Sequence, residues 1–240
     1  MSTSSDNDGR VFVVGDIHGC PDELRVLIRD LALRPEDEVV FVGDYVDRGP
    51  GSKEVVEFLL DLRRSGEART VFLKGNHEDM FLDHIAYPGR YGEVFLLNGG
   101  TATLRSYGLA PDTAGREVAA LLPEGHLDFF LNLELFHTAG DALCVHAGVN
   151  PTRSLEAQDE EDLLWIRGEF ILHSHGLPWT VVFGHTPQRR VLFDLPYKIG
   201  IDTGLVYGGM LSCIELREKK LYQVARNGGR ATVTDVSEMW

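Results

Sequence analysis

Cysteine is scarce in this 240-residue chain: Cys20, Cys144 and Cys213 stand far apart, with no Cys-x-x-Cys pair. An odd, widely spaced set excludes a disulfide scaffold and a cysteine zinc ribbon, and suits a reducing cytosol. No apolar run approaches the roughly 18 residues that a membrane span needs. The opening MSTSSDNDGR lacks the basic-then-apolar order of a secretory leader. A cytoplasmic protein without membrane contacts is expected, with residues 1–9 as a loose tail. Basic residues are in deficit, 23 Lys and Arg against 37 Asp and Glu, for a net charge of −14. That surface repels a phosphate backbone and argues against nucleic acid as a partner. Repeats, low-complexity tracts and linkers are also missing. A single domain over residues 10–240 is expected, of a length that supports one sizeable core. Nothing in the sequence bears on oligomeric state.

What is present is a series of short β-branched runs. They are Val11–Val14, Val39–Val42, Thr70–Leu73, Ala142–Val145, Thr180–Phe183, Ile199–Ile201, Met210–Leu216 and Leu221–Ala225. The first three are almost continuously apolar, as strands buried on both faces are. Pro21–Leu33 places Leu24, Leu27, Ile28 and Leu31 on one helical stripe, with Pro21 in the first turn. Ser52–Arg64 does the same with Val55, Val56, Leu59 and Leu60, and Ser52 is the expected N-cap. Strand and helix alternate at the front, which predicts βαβ units. The later strands have fewer helices between them, which predicts a second, mixed sheet. Residues 79–135 read as a helical insertion over the sheet.

The turns after the strands carry the chemistry. Gly15-Asp16-Ile17-His18-Gly19 follows the first strand, Gly43-Asp44-Tyr45-Val46-Asp47-Arg48-Gly49 the second and Gly75-Asn76-His77-Glu78 the third. His146-Ala147-Gly148 and Gly184-His185-Thr186 follow the runs at 142–145 and 180–183. Ligands of α/β sheets bind beyond the carboxyl ends of the strands. Asp16, His18, Asp44, Asn76, His146 and His185 are thereby delivered to one edge. All offer oxygen or nitrogen and none sulfur, which suits Mn, Fe or Zn better than calcium. One ion takes three or four protein ligands. Six candidates with a central carboxylate fit two ions about 3.5–4 Å apart. Taken singly, Asp16 reads as a helix cap, Asn76 as a turn residue and His185 as a structural histidine. Their repetition on successive strand ends is what points to metal.

GDIHG, GDYVDRG and GNHE resemble the signature blocks of the phosphoprotein phosphatase family of metallophosphoesterases, in its short bacterial or phage-type branch. The resemblance spans roughly Val11 to Leu216. It departs from the eukaryotic pattern at HAG, where HGG is common, and at IDTGLVYGGML. It implies an α/β metallophosphoesterase fold, two mixed β-sheets sandwiched by helices, with a dinuclear metal site at the strand C-terminal ends. It also implies that Asp16 and His18 hold the first metal, that Asp44 bridges, and that Asn76, His146 and His185 hold the second. His77 would be the general acid, oriented by Asp47. Arg48 and Arg167 would bind the phosphate, and the nucleophile would be a metal-bridging hydroxide. The expected activity is that of a serine/threonine protein phosphatase with two divalent ions, manganese first and iron or zinc as alternatives. Its partner is a phosphoprotein or phosphopeptide substrate.

The residues by themselves support that chemistry. A phosphate monoester dianion repels hydroxide, and two cations remove that barrier. Arginine donates planar, bidentate bonds to phosphoryl oxygens. A serine or threonine alkoxide leaves poorly without a proton, which imidazolium beside Asp47 can supply. Two other readings remain: a diadenosine tetraphosphate-type hydrolase and a catalytically inactive phosphopeptide-binding module. The Asp47-Arg48-Gly49 block and Glu78 favour the phosphatase over the first, and the complete ligand set disfavours the second. His84, His126, His137, His173 and His175 lie away from the strand ends and are expected to be structural or exposed. The acids from Glu156 to Asp162 read as a solvated helix start. Cys20 reads as an inert thiol, and Tyr207 as a residue for either packing or substrate.

Overall fold

Glu38–Phe41 (β2) lies between Val11–Val14 (β1) and Arg69–Phe72 (β3), parallel to both, with Val13 opposite Val40 and Val40 opposite Val71. The computed structural model describes residues 9–240. Most of the expected tail lies outside the described residues. Gly9, at its end, is buried so closely against Glu36 that no side chain would fit.

Alternate residues of these strands face two different cores. Val13, Val40 and Val71 point towards the second sheet, where they meet Cys144, Val182 and Ile199. Phe12, Val39, Phe41 and Phe72 point the other way, under the helices. Burial on both faces is why the runs are apolar without alternation. Each fully buried aliphatic or aromatic side chain here contributes about 1.5–3 kcal/mol.

Pro21–Leu31 (α1) and Ser52–Ser65 (α2) bury the expected stripes against that outer face. The first stops two residues early, where Ala32 turns left-handed with φ 46°. Ser52 is not the cap of α2. Gly51 holds that position, and the Ser52 hydroxyl is buried against Asp47 and Thr103.

The expected insertion is built of Asn76–His84 (α3), Thr101–Ser106 (α4), Gly115–Leu121 (α5) and His126–Leu131 (α6). Its first helix starts three residues before position 79, so Asn76 and His77 lie in a first helical turn. Two short helices follow later, Glu160–Trp165 (α7) and Gly168–Ile171 (α8). No helix among the described residues is long and apolar enough to cross a membrane.

The second sheet holds Phe136–Ala139 (β4), Ala142–Val145 (β5), Thr180–Phe183 (β6), Leu192–Asp194 (β7) and Lys198–Gly200 (β8), in the order β4-β5-β6-β8-β7. This is the expected second, mixed sheet, but not every later strand lies in it. Met210–Glu215 (β9) pairs antiparallel with the free edge of β1, and Lys220–Ala225 (β10) and Thr232–Asp235 (β11) extend outward from it. The first sheet therefore has six strands, β11-β10-β9-β1-β2-β3. An unpaired β1 edge would leave buried backbone donors and acceptors without partners, and β9 supplies them. Both sheets are mixed, as expected, and the ends of β1, β2, β3, β5 and β6 meet at one end of the sandwich.

Candidate active site

The strands leave their sheets through turns that only small residues permit. A Cβ on Gly75 would lie 2.2 Å from Asp44 Oδ1, and one on Gly184 would lie 2.0 Å from Asp16 Oδ1. Between the glycines the backbone is strained. His18, Asp44, Asp47, Arg48 and His185 have φ of 45°, 55°, 70°, 68° and 62°. Each such residue costs about 1–2 kcal/mol. Concentration of that cost in the turns that carry the polar side chains is the mark of a functional site.

The turns bring two overlapping groups together. Ligand atoms of His18, Asp44 and His77 lie within 4.8 Å of one another, and so do those of Asp44, His146 and His185. Asp44 belongs to both. His18 Nδ1 lies 2.8 Å from the Val46 carbonyl, and His146 Nδ1 lies 2.9 Å from the Val42 carbonyl. A carbonyl only accepts, so each Nδ1 carries the hydrogen and each Nε2 presents a lone pair. His18 Nε2 faces Asp44 Oδ2 at 3.4 Å. His146 Nε2 faces Asn76 Oδ1 at 3.0 Å and Asp44 Oδ1 at 3.4 Å. His185 Nδ1 reaches the same Asn76 oxygen at 2.9 Å.

Lone pairs of nitrogen and oxygen thus converge on Asp44 from two sides, an arrangement that repels unless cations lie between them. The imidazole-to-carbonyl bonds behind them are those that orient metal-binding histidines. The donor set therefore fits divalent metal. Asp16 belongs to neither group, but its buried carboxylate lies close enough to Asp44 to feel its charge, and it accepts the His185 backbone N–H at 3.0 and 3.2 Å.

Burial sets the protonation. It pushes the His18 imidazole down to about 3 and the His185 imidazole down to about 2, and it lowers His146 as well. All three are neutral at pH 7, the form that ligates. Asp44 is buried, yet the imidazoles around it hold its carboxyl below the usual range. Asp16 is raised by burial and by the neighbouring Asp202 and Asp44 carboxylates.

His77 is built differently. Its Nδ1 donates to Asp47 Oδ2 at 2.7 Å, with both side chains buried. Burial alone would lower its pKa, but Asp44 and the hydrogen-bonded Asp47 raise it. Its Nε2 is buried without a partner, beside the His18 ring. A histidine favoured in its charged form, with one N–H oriented and the other nitrogen unclaimed, can give a proton at Nε2.

The two arginines contact different members of the group. Arg48 donates to His18 Nε2 at 2.7 Å, and its guanidinium lies over the Tyr207 ring at 5.5 Å. Arg167 donates to the His185 carbonyl at 3.1 Å and to Thr186 Oγ1 at 3.4 Å. Tyr207 is 63% exposed, which takes it out of the core.

Sequence reasoning missed several supports. Glu78 holds the Asp44 turn through backbone N–H groups, Thr103 bonds Asp47, and Asp202 sits buried beside Asp16 with its carboxyl pushed up to about 6 by burial. Only Glu78 left a sequence signal, an acid at the third position of a helix. The acids from Glu156 to Asp162 lead into the first turn of α7 as expected, but Glu160 is not free in solvent: it bonds Lys74 at 3.0 Å and Arg90 at 3.1 Å and so ties α7 to the segments on either side of α3. Cys20 is buried, and burial pushes its thiol up to about 11, which keeps it inert.

A model of the calcineurin-like phosphoesterase family matches residues 9–217. The serine/threonine-protein phosphatase 1 of Salmonella typhimurium is 33% identical over 86% of this chain and 92% of its own length. The bis(5'-nucleosyl)-tetraphosphatase PrpE of Halalkalibacterium halodurans is 29% identical over 86% and 89%. Among solved structures, one provisionally described as a diadenosine tetraphosphatase aligns with TM-score 0.67 and 27% identity, covering 90% of this chain and 93% of that one. A cold-active protein tyrosine phosphatase aligns with TM-score 0.63 over 94% and 78%, at 19% identity, a likeness of fold alone.

Proposed function

The chain belongs to the calcineurin-like phosphoesterase family, and from that premise we propose that it removes phosphate from serine and threonine side chains of proteins. Asp16, His18 and Asp44 would hold one divalent cation, and Asp44, Asn76, His146 and His185 the second. Manganese is the first metal to try, and iron or zinc the alternatives. Such ions supply Lewis-acid charge at the phosphoryl oxygens and make water a stronger nucleophile at neutral pH.

The chain's own residues do the rest. Arg48 and Arg167 donate to phosphoryl oxygens and fix the ester in line. Asp47 accepts the Nδ1 hydrogen of His77 and turns its ring. His77 Nε2 gives a proton to the departing oxygen. The observation that carries the reading is this buried His77–Asp47 pair with an unclaimed Nε2. An alkoxide needs that proton, whereas a departing nucleotide is already a stable anion and needs it far less. The likeness to the Salmonella phosphatase supports the same reading.

A second reading, hydrolysis of a bis(nucleosyl) tetraphosphate, is favoured by the exposed Tyr207 ring beside Arg48, a surface on which a base can stack, and by the PrpE likeness. The test is side-by-side kinetics of the Mn²⁺-loaded protein on phosphoserine peptides, diadenosine tetraphosphate and p-nitrophenyl phosphate. A higher kcat/KM on the peptides is expected. A higher value on the dinucleotide replaces the first reading with the second. No turnover of any substrate would leave a binding module.

A further inference from the structure

Asp47 is fully buried, and His77 uses only one of its two oxygens. The other, Oδ1, accepts the Thr103 hydroxyl at 2.6 Å. Thr103 is itself fully buried, in α4, 56 positions along the chain from Asp47. We propose that Thr103 is a positioning residue of the proton donor, holding the Asp47 carboxylate in the orientation that His77 requires. The proposal rests on the reading of His77 as the acid.

Counting hydrogens fixes the direction of every bond. A carboxylate only accepts, so the single Thr103 hydroxyl hydrogen goes to Asp47 Oδ1. Thr103 Oγ1 then has only lone pairs left. It accepts the Asp47 backbone N–H at 2.8 Å. Its remaining neighbour, Ser52 Oγ at 3.0 Å, must therefore donate to it. Ser52 Oγ also accepts the Asp47 N–H, at 3.1 Å.

Hydroxyl hydrogens thus run one way, from Ser52 to Thr103 to Asp47, and the carboxylate ends the chain by accepting from His77. Thr103 grips Asp47 by both its backbone and its side chain, so the carboxyl cannot rotate. Without the Thr103 bond the carboxyl is free to turn, and the His77 ring that it orients through Oδ2 loses its aim at the leaving oxygen. Asp47 also sits at φ 70°, a conformation that the double grip stabilises.

The experiment uses the Mn²⁺-loaded full chain with Thr103→Val, which keeps the shape and removes the hydroxyl, and Thr103→Ser, which keeps the hydroxyl. Rates are read on aryl phosphates from p-nitrophenyl to phenyl and on a phosphoserine peptide. For Thr103→Val, kcat should fall on the order of ten- to a hundredfold on phenyl phosphate and the peptide. It should fall much less on p-nitrophenyl phosphate, with KM and metal content unchanged. Thr103→Ser should restore most of the rate. Ser52→Ala should show a smaller loss with the same dependence on leaving group, and it carries the test if Thr103→Val does not fold.

Equal losses on all leaving groups at full metal content would overturn the proposal. So would a Thr103→Ser enzyme as impaired as Thr103→Val. A wild type that ignores the peptide and cleaves diadenosine tetraphosphate would sink the protein-phosphatase reading instead, and the aryl series would still decide the role of Thr103.

Discussion

Glu78→Gln should cost the protein a large part of its stability, and the geometry says why. The carboxylate accepts four backbone N–H groups. Oε2 takes those of Asp44 and Gly75 at 2.8 and 2.9 Å, and Oε1 takes those of Tyr45 and Val46 at 2.8 and 3.3 Å. Both oxygens are thus occupied by donors. A glutamine, however it is flipped, turns an NH2 towards two of them. Two bonds to a charged acceptor, each about 1.5–3 kcal/mol, give a loss on the order of 3–6 kcal/mol. A domain has only about 5–15 kcal/mol in total.

Burial and the Asp44 charge push the Glu78 carboxyl up to about 8, against the pull of the amides. A protonated carboxyl would itself aim an O–H at N–H donors, so the geometry requires the ionised form, and cations beside Asp44 would favour it. The assay is urea unfolding of metal-free wild type and Glu78→Gln followed by circular dichroism, with manganese affinity of both by calorimetry. A much lower midpoint and weaker metal binding are expected, because Asp44 sits on the turn that Glu78 holds. A stability loss under about 1 kcal/mol would refute the reasoning, since glutamine would then be mimicking a neutral Glu78.

His77→Asn should keep its metal and lose about 10²–10⁴ in rate on phosphoserine peptides, but less on p-nitrophenyl phosphate, whose leaving group needs little help; equal losses would point to an electrostatic role. Asp47→Asn should give a milder form of the same pattern. Asp44→Asn should lower metal content and activity together, read by elemental analysis and by p-nitrophenyl phosphate turnover, and a variant that still holds two ions per chain would remove Asp44 from its bridging role. The Asp37 carboxyl is buried, yet it is held below its usual value of 3.8 by the Arg10 guanidinium and by the Arg10 and Arg34 amides. Its stabilisation is therefore full above pH 3.8 and fades as the pH falls through the lower folded value. Asp37→Asn should cost about 1.5–3 kcal/mol at neutral pH, and the gap should close in strong acid; a gap that widens there would reverse the sign.

Local chemistry was legible in the sequence wherever one short segment carried the whole signal. The runs at Val11–Val14, Ala142–Val145 and Thr180–Phe183 match β1, β5 and β6 because burial on both faces leaves no choice but apolar residues. The turns after them announce their donors because glycine, aspartate, asparagine and histidine are needed side by side. Three strands escaped notice. Phe136–Ala139, Leu192–Asp194 and Thr232–Asp235 are short, carry polar or exposed residues, and lie at sheet edges, where one neighbour fixes them and composition does not.

Tertiary structure alone decided the rest. Ser52 has the right identity and place for a helix cap, but a buried partner took its hydroxyl. Glu160 looks solvated until Lys74 and Arg90 are brought to it. β9 chose the edge of β1 over the second sheet because a strand's own residues do not name its neighbour. The identities of Asp44, His18, His146 and His185 come from their own turns, but the approach of their lone pairs to one another depends on two sheets meeting. Thr103 bears no mark in the sequence, because a hydrogen bond spanning 56 positions is set by how α4 packs on the Asp47 turn and by no residue near either end.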